Sequence, residues 1–230
     1  MKAGVFSSIY KPPVAPSSLI LSMDAGNPSS YPGSGTAWLD LSGHNNHGTM
    51  MNSVVYNSVK GGVMDFTGTA PNVPRVDVAD QPELSLSTGG SVALWTYIRG
   101  TGEAAFVAHG YYTGAQGGWM LWWEQQMLRL YIAKTPHINV SLTRNVWQHI
   151  VCTWSGTSSG MHVFINGVDV NSNSTPTLPG LTVDPLYIGT YAFNAYPFDG
   201  QINDVQVHNK PLSAAEVTAL FTATRARYGI

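Results

Sequence analysis

The chain has 230 residues, of which 43% are hydrophobic and 10% charged, a balance that buries a large core, keeps its surface polar through Ser, Thr, Asn and Gly, and excludes disorder. Eleven Lys and Arg against thirteen Asp and Glu leave a net charge of −2; neither sign forms a run that neutralises a row of phosphates or grips an anionic membrane, so neither nucleic acid nor membrane is expected as a partner. The single cysteine, Cys152, allows no intrachain disulfide and no thiolate metal cluster, and no stretch approaches the roughly twenty apolar residues that span a bilayer.

In chain order, Met1–Pro13 lacks a continuous apolar core followed by a small-residue cleavage site, so no signal peptide is expected. Pro12, Pro13 and Pro16 lie among Ser and Lys without periodic pattern. Proline fixes φ and removes donors, which predicts an extended arm over residues 1–18. From Leu19 onward, short apolar or alternating runs are separated by turn clusters such as Gly33-Ser34-Gly35, Ser42-Gly43-His44-Asn45-Asn46, Gly61-Gly62, Thr88-Gly89-Gly90 and Ser155-Gly156-Thr157. That spacing predicts an all-β domain.

Trp119–Trp123 is expected to pair with Met127–Ile132 through Glu124-Gln125-Gln126, with Trp119, Leu121 and Trp123 sharing one face. Met161–Val170 reads as a hairpin, because Asn166-Gly167 accepts the positive φ angles of a two-residue type I′ turn. Near the end, Ser213-Ala214-Ala215-Glu216 fits a capping box, Val217, Leu220 and Phe221 recur at helical spacing, and Arg225, Arg227 and Gly229 suit a helix terminus. No internal repeat or low-complexity linker interrupts residues 19–230, which are read as one domain.

Three stretches resemble the laminin-G-like branch of the concanavalin A-like lectin and glucanase superfamily. The first, Trp38-Leu39-Asp40-Leu41-Ser42-Gly43 with His44-Asn45-Asn46-His47-Gly48, is followed by Met64-Asp65-Phe66-Thr67-Gly68 in place of the family's Phe-Asp-Gly. The second runs from Trp147-Gln148-His149 through Thr153-Trp154 into Asn166-Gly167. The third comprises Leu186-Tyr187-Ile188-Gly189, Phe198-Asp199-Gly200 through Val207-His208, and Pro211-Leu212-Ser213 before the helix; Gln206 and His208 stand where Arg and Tyr are usual. The resemblance implies a two-sheet antiparallel β-sandwich, a concanavalin A-like jelly roll, with one short C-terminal helix.

Glucanases on this sandwich carry closely spaced carboxylates on one strand. The chain has four glutamates, Glu83, Glu103, Glu124 and Glu216, none with an aspartate two residues on, so a pair about 5 Å apart is not encoded locally and no catalytic residue is assigned. Cys152 alternates with Ile150 and Trp154 toward the expected core, and no Gly-x-Ser-x-Gly elbow occurs. His149 faces the other way with Val151 and Thr153, where it meets a ligand or, the blander reading, is hydrogen-bonded within the sheet. His44 and His47 sit in a turn cluster without evident metal partners.

Related sandwiches hold a Ca²⁺ at a loop edge, and Asp24 with Asn27, or Asp77 with Asp80, offer the oxygen ligands for one; the competing reading of a turn aspartate is an Asx cap. No cofactor is required. Tyr111, Tyr112, Trp122 and Glu124 surround a glycine-rich loop and one hairpin, where an aromatic platform for carbohydrate can form; the competing, blander reading is that most of these rings pack in the core or on a sheet face. The stretch Asp24–Thr36 and the ending Ala226-Arg227-Tyr228-Gly229 resemble laminin-G-like domains of bacteriophage structural proteins. The expectation is a non-enzymatic virion surface component, a head decoration, tail or fibre protein, assembled in the host cytoplasm and joined to other virion proteins through the arm. The alternative is a free, extracellular lectin that binds surface glycans.

Overall fold

The computed structural model describes residues 16–68, 72–110, 117–156, 160–173, 177–191 and 196–230. The strands follow as β1 (Leu19–Met23), β2 (Ala37–Trp38), β3 (Gly48–Met51), β4 (Val55–Asn57), β5 (Val63–Phe66), β6 (Arg75–Val78), β7 (Gly89–Ile98) and β8 (Ala104–His109). Then come β9 (Trp119–Glu124), β10 (Met127–Ile132), β11 (Thr135–Ser141), β12 (Trp147–Ser155), β13 (Met161–Ile165), β14 (Val168–Asn173), β15 (Leu186–Ile188) and β16 (Gly200–His208), and the helix α1 (Ala214–Tyr228) closes the chain. They build two eight-stranded sheets. The first has the order β14-β13-β12-β7-β16-β5-β4, with β1 beside β16; the second runs β11-β10-β9-β8-β15-β6-β3-β2. The pairings are antiparallel, and the whole is the expected jelly-roll sandwich. Of the predicted arm, residues 1–15 lie outside the described residues. Pro16–Ser18 form one turn of 3-10 helix leading into β1, and Ser18 O accepts from Asn209 N.

Side chains on a strand alternate between faces, and this sorts the aromatic residues. Trp119, Leu121 and Trp123 of β9 face inward, as do Ile150, Cys152 and Trp154 of β12, and all join the core between the sheets with Trp38, Phe66, Phe106 and Phe198. The Trp119 and Trp154 rings meet at 5.8 Å, and Trp119 Nε1 donates to Leu84 O at 2.8 Å. Burial pushes the Cys152 thiol far above its ordinary pKa, so it is an inert core residue.

Asn166 and Gly167 form the β13–β14 turn with φ of 51° and 78°, as the dipeptide predicts. The Asn166 side chain also accepts from His149 N at 2.9 Å, and a Cβ on Gly167 would meet Phe221 at 2.9 Å. The β9–β10 turn is tighter than the sequence suggests: only Gln125 and Gln126 lie at positive φ, 51° and 63°, and Glu124 belongs to the strand opposite Met127. A further hairpin, β10–β11, turns on Ala133 and Lys134 at φ of 47° and 70°, residues without turn chemistry that the sequence does not flag.

Helix α1 begins at Ser213 with both capping-box bonds and ends at Gly229 in the left-handed conformation. Its Val217 and Leu220 cover Ala93, Val151 and Phe164 on the outer face of the first sheet. Tyr228 stacks on Trp95 at 4.0 Å, and Trp95 Nε1 donates to Thr224 Oγ1 at 2.9 Å. Arg227 binds the Asp24 carboxylate at 2.7 Å, and Asn203 Nδ2 donates to Asp24 at 2.9 Å and to Tyr228 Oη at 3.0 Å. His149 lies under this helix against Trp95, 5.1 Å between ring centres, and Phe221, 6.1 Å. Its Nδ1 has no hydrogen-bond partner, and the ring is packed between these aromatic neighbours.

Two titrations follow. Asp204 sits in the β16 irregularity at φ 47° and is buried, its Oδ1 accepting from Gln206 Nε2 at 2.9 Å while Gln206 Oε1 lacks a donor. Burial first, then the Asp24 charge, raise its pKa to about 7. A raised carboxyl contributes stability fully at pH below its ordinary value and loses it as pH climbs through 7. Asp204→Asn should therefore gain stability over the native chain progressively from pH 4 to 8, on the order of 4 kcal/mol at most, read from denaturant midpoints; a constant offset across that range contradicts the assignment. Burial lowers His149 to about 3, so its contribution is complete above pH 6.5 and lost as pH falls toward 3. His149→Leu should flatten the acid limb of the Tm profile between pH 6.5 and 4, where on the order of 3 kcal/mol is at stake.

Candidate functional site

With α1 lying on the first sheet, the outer face of the second is the broad surface on which side chains converge without a helix over them, among the described residues. Its residues are those the two-residue period turns away from the core. Across it, Tyr131 stands opposite Met120, Met120 opposite Ala108, Ala108 opposite Tyr187, Tyr187 opposite Asp77, and Asp77 opposite Thr49. In the neighbouring row Arg129, Trp122 and Ala105 are aligned. Ala105, Ala108, Met120 and Trp122 form a satellite apolar cluster, with Tyr131 and Tyr191 packed against it. Tyr187 is almost buried there, and its phenol is pushed up by burial and then by the Asp77 and Asp184 charges, so it stays neutral.

Beside this cluster is a shallow recess of about 220 Å³, its open side included, lined by Gly110, Gly118, Trp119, Met120, Tyr131, Lys134 and Tyr191. Its floor is glycine for a steric reason. A Cβ on Gly118 would fall 1.8 Å from His109 O, and one on Gly110 would fall 2.5 Å from Thr182 Cγ2. These two residues let β8, β9 and the loop after residue 177 approach closely, which opens the depression between the rings.

Tyr111 and Tyr112 follow Gly110 of the recess directly in sequence and lie outside the described residues. Trp122 is on the outer face, as its alternation with Trp119 and Trp123 requires, yet it is buried: Tyr196 meets it edge-on at 4.8 Å and Tyr191 at 6.2 Å. The ring surface offered to a ligand is therefore tyrosine, with Trp122 as its backing. Glu124 shares this face and is held by Arg129 at 3.2 Å. Tyr131 was legible as the outward partner of Met127 and Arg129 in β10; Tyr191, Tyr196 and Lys134 carried no sequence signal.

The carboxylates named for calcium are engaged elsewhere. Asp24 Oδ1 accepts from Gly26 N, Asn203 Nδ2 and Arg227 Nη1 at 2.9, 2.9 and 2.7 Å, and Asn27 Oδ1 accepts from Ser29 N at 3.0 Å in an Asx turn. Asp77 and Asp80 point apart. Asp77 binds Arg75 at 2.7 Å on the outer face; Asp80 meets the fully buried His109 ring at 3.2 Å, whose pKa burial lowers against the opposing pull of Asp80. Asp77 stands on β6, whereas Asp80 lies past the strand's end at Val78, where the chain turns it toward His109. His44 meets Glu83 at 2.9 Å, and His47 Nδ1 accepts from Asp40 N at 3.0 Å. No group of three or more His, Cys, Asp or Glu side chains converges as a metal site among the described residues.

The family-like motifs serve the scaffold. Asp40 is buried and accepts from Ser22 N, Ser42 N and Asn46 N at 2.8, 2.9 and 3.0 Å, which shapes the Ser42–Asn46 turn. Asp65 receives Arg99 through two nitrogens at 3.0 and 2.6 Å, and Arg99 Nε also binds Asp199 at 3.0 Å. Hydrogen bonds from Arg99, Gln201 and Thr67 hold the Asp65 carboxyl below its ordinary pKa against the cost of burial.

A family model described as the Concanavalin A-like lectin/glucanases superfamily matches residues 71–218. Among solved structures, the binding domain of botulinum neurotoxin DC in complex with rat synaptotagmin II aligns with a TM-score of 0.71 at 15% identity, covering 92% of this chain and 52% of that one. The same binding domain in complex with SialylT gives 0.71 at 15%, covering 91% and 52%. The binding domain of Paraclostridial Mosquitocidal Protein 1 gives 0.69 at 17%, covering 90% and 52%. The chain thus spans about half the length of these binding domains, and at this identity the likeness is one of fold. No curated protein sequence matches.

Proposed function

Since the chain belongs to the Concanavalin A-like lectin/glucanases superfamily, we propose that it is a non-enzymatic binding module that takes carbohydrate on the outer face of its second sheet and is carried on the surface of a bacteriophage particle. The observation that carries the binding reading is the recess flanked by Tyr131 and Tyr191 on the Met120–Trp122 base. Tyrosine offers an apolar face to the C–H side of a sugar ring and a hydroxyl to its polar edge. Two of the acids at this surface are tied to arginines, Glu124 to Arg129 and Asp77 to Arg75, while Asp184 stands near Tyr187. The pairing speaks for recognition over hydrolysis, which needs an acid and a nucleophile aimed at one bond. The similar structures are binding domains, one in complex with a protein and one with SialylT, in keeping with this reading.

The particle reading is supported by the resemblance of Asp24–Thr36 and Ala226–Gly229 to phage structural domains. A chain with one cysteine, buried in its core, suits folding in a reducing host cytoplasm before release. In this reading residues 1–18 join the domain to other virion proteins. Asp24, Asn27, Asp77 and Asp80 each have partners within the protein, and neither reading calls on a metal.

On a glycan array, the full chain should retain at least one sugar class, and Tyr131→Ala should weaken that binding about tenfold, roughly 1.4 kcal/mol, with the unfolding midpoint preserved. Unchanged binding by this folded variant would move the site elsewhere. Antibody labelling of purified phage particles by electron microscopy should place the chain on the outer surface. Particles that lack it sink the virion reading and leave the lectin reading standing.

A further inference from the structure

The carbohydrate reading leaves the chemical class of the sugar open, and the recess bears on it. Lys134 enters the lining through an unusual turn. The β10–β11 hairpin uses Ala133 and Lys134 in the left-handed conformation, φ 47° and 70°, and Ala133 N donates to Gly118 O at 2.9 Å. Gly117 permits this approach: a Cβ there would lie 2.7 Å from Lys134 Cγ and 3.0 Å from Lys134 N. The Gly117-Gly118 pair thereby brings a cationic residue to the edge of a depression whose other walls are tyrosine and methionine.

The charges around it are unequal. Among the described lining residues Lys134 is the charged one, and none is acidic. Two carboxylates of the outer face, Glu124 and Asp77, are neutralised by arginines of the same face, and Asp184 lies near Tyr187, outside the lining of the recess. Lys134 is half-buried at the edge of this lining. The recess is too shallow to enclose a whole sugar ring. It suits one substituent of a ring that lies against Tyr131 and Tyr191.

We infer that this recess selects an acidic sugar, its anionic substituent set beside Lys134 and its ring resting on Tyr131 and Tyr191. The inference rests on the carbohydrate reading of the same face. An anionic oxygen accepting from an ammonium makes a charge-assisted hydrogen bond, stronger than the one a hydroxymethyl group makes at the same place. A uronate, a sialic acid and a sulfated sugar all supply that chemistry.

The test uses the full chain against immobilised neutral oligosaccharides and the same backbones carrying uronate, sialyl or sulfate groups. At least one acidic set should bind about tenfold more tightly than its neutral counterpart, as a charge-assisted bond predicts, and the acidic set that binds identifies the source of the anion. Lys134→Gln should reduce that set to the neutral level, Lys134→Arg should keep the preference, and added salt should erode it. Equal binding of neutral and acidic sugars, or an acidic preference that survives Lys134→Gln, overturns the inference while the tyrosine face remains the glycan site. Failure of the folded chain to bind any sugar overturns the carbohydrate reading and the inference together.

Discussion

The alternation of side chains along a strand between two packed sheets is the constraint from which the rest of this molecule follows. In β9 it drives Trp119, Leu121 and Trp123 into the core and, by the same period, sends Met120 and Trp122 outward. In β12 it buries Ile150, Cys152 and Trp154 between the sheets and places Val151 and His149 on the other side, under the helix. A slip of one residue in either strand would exchange core for surface across the whole element. The aromatic content of the chain is therefore spent mainly on the interior, and a small remainder is left for contact with anything outside.

Where that remainder lies depends on α1. The helix covers the outer face of the first sheet with Val217, Leu220 and Tyr228, and its C-terminal turn is pinned by Arg227 to Asp24. The polar residues beneath it, among them Asp204, Gln206 and His208, are sealed off. Their pKa values move by burial: Asp204 rises to about 7 and His208 falls to about 4. Perturbed titration often marks a functional site. Here it marks the seam between helix and sheet, where polar groups are dry because the helix docks over them.

Among the described residues no helix covers the second sheet, and its outer face combines tyrosine, methionine and paired charges around a depression lined by glycine. Recess and scaffold share residues at that point. Gly118 is needed for β8 and β9 to approach, and the same lack of a side chain opens the recess. The likeness to toxin binding domains extends to the sandwich over about half of their length, so this surface has to be understood from its own side chains.

The sequence by itself determined what depends on near neighbours. The Asn166-Gly167 turn, the Ser213 capping box with its Gly229 terminus, and the inward set of β9 are written in spacings of a few residues, and local sterics and hydrogen bonds enforce them without regard to distant chain. The all-β character of the domain followed from the same short periods, and the resemblance to laminin-G-like domains implied the two-sheet sandwich. Only the tertiary structure decided that Trp122 is backed and covered by Tyr191 and Tyr196, that Asp24 meets Arg227 across 203 residues, that Asp77 and Asp80 point apart, and that Lys134 reaches the recess. Each of these depends on which strands and loops become neighbours, and that is settled by the collective burial of two sheets, an energy no short window of sequence contains.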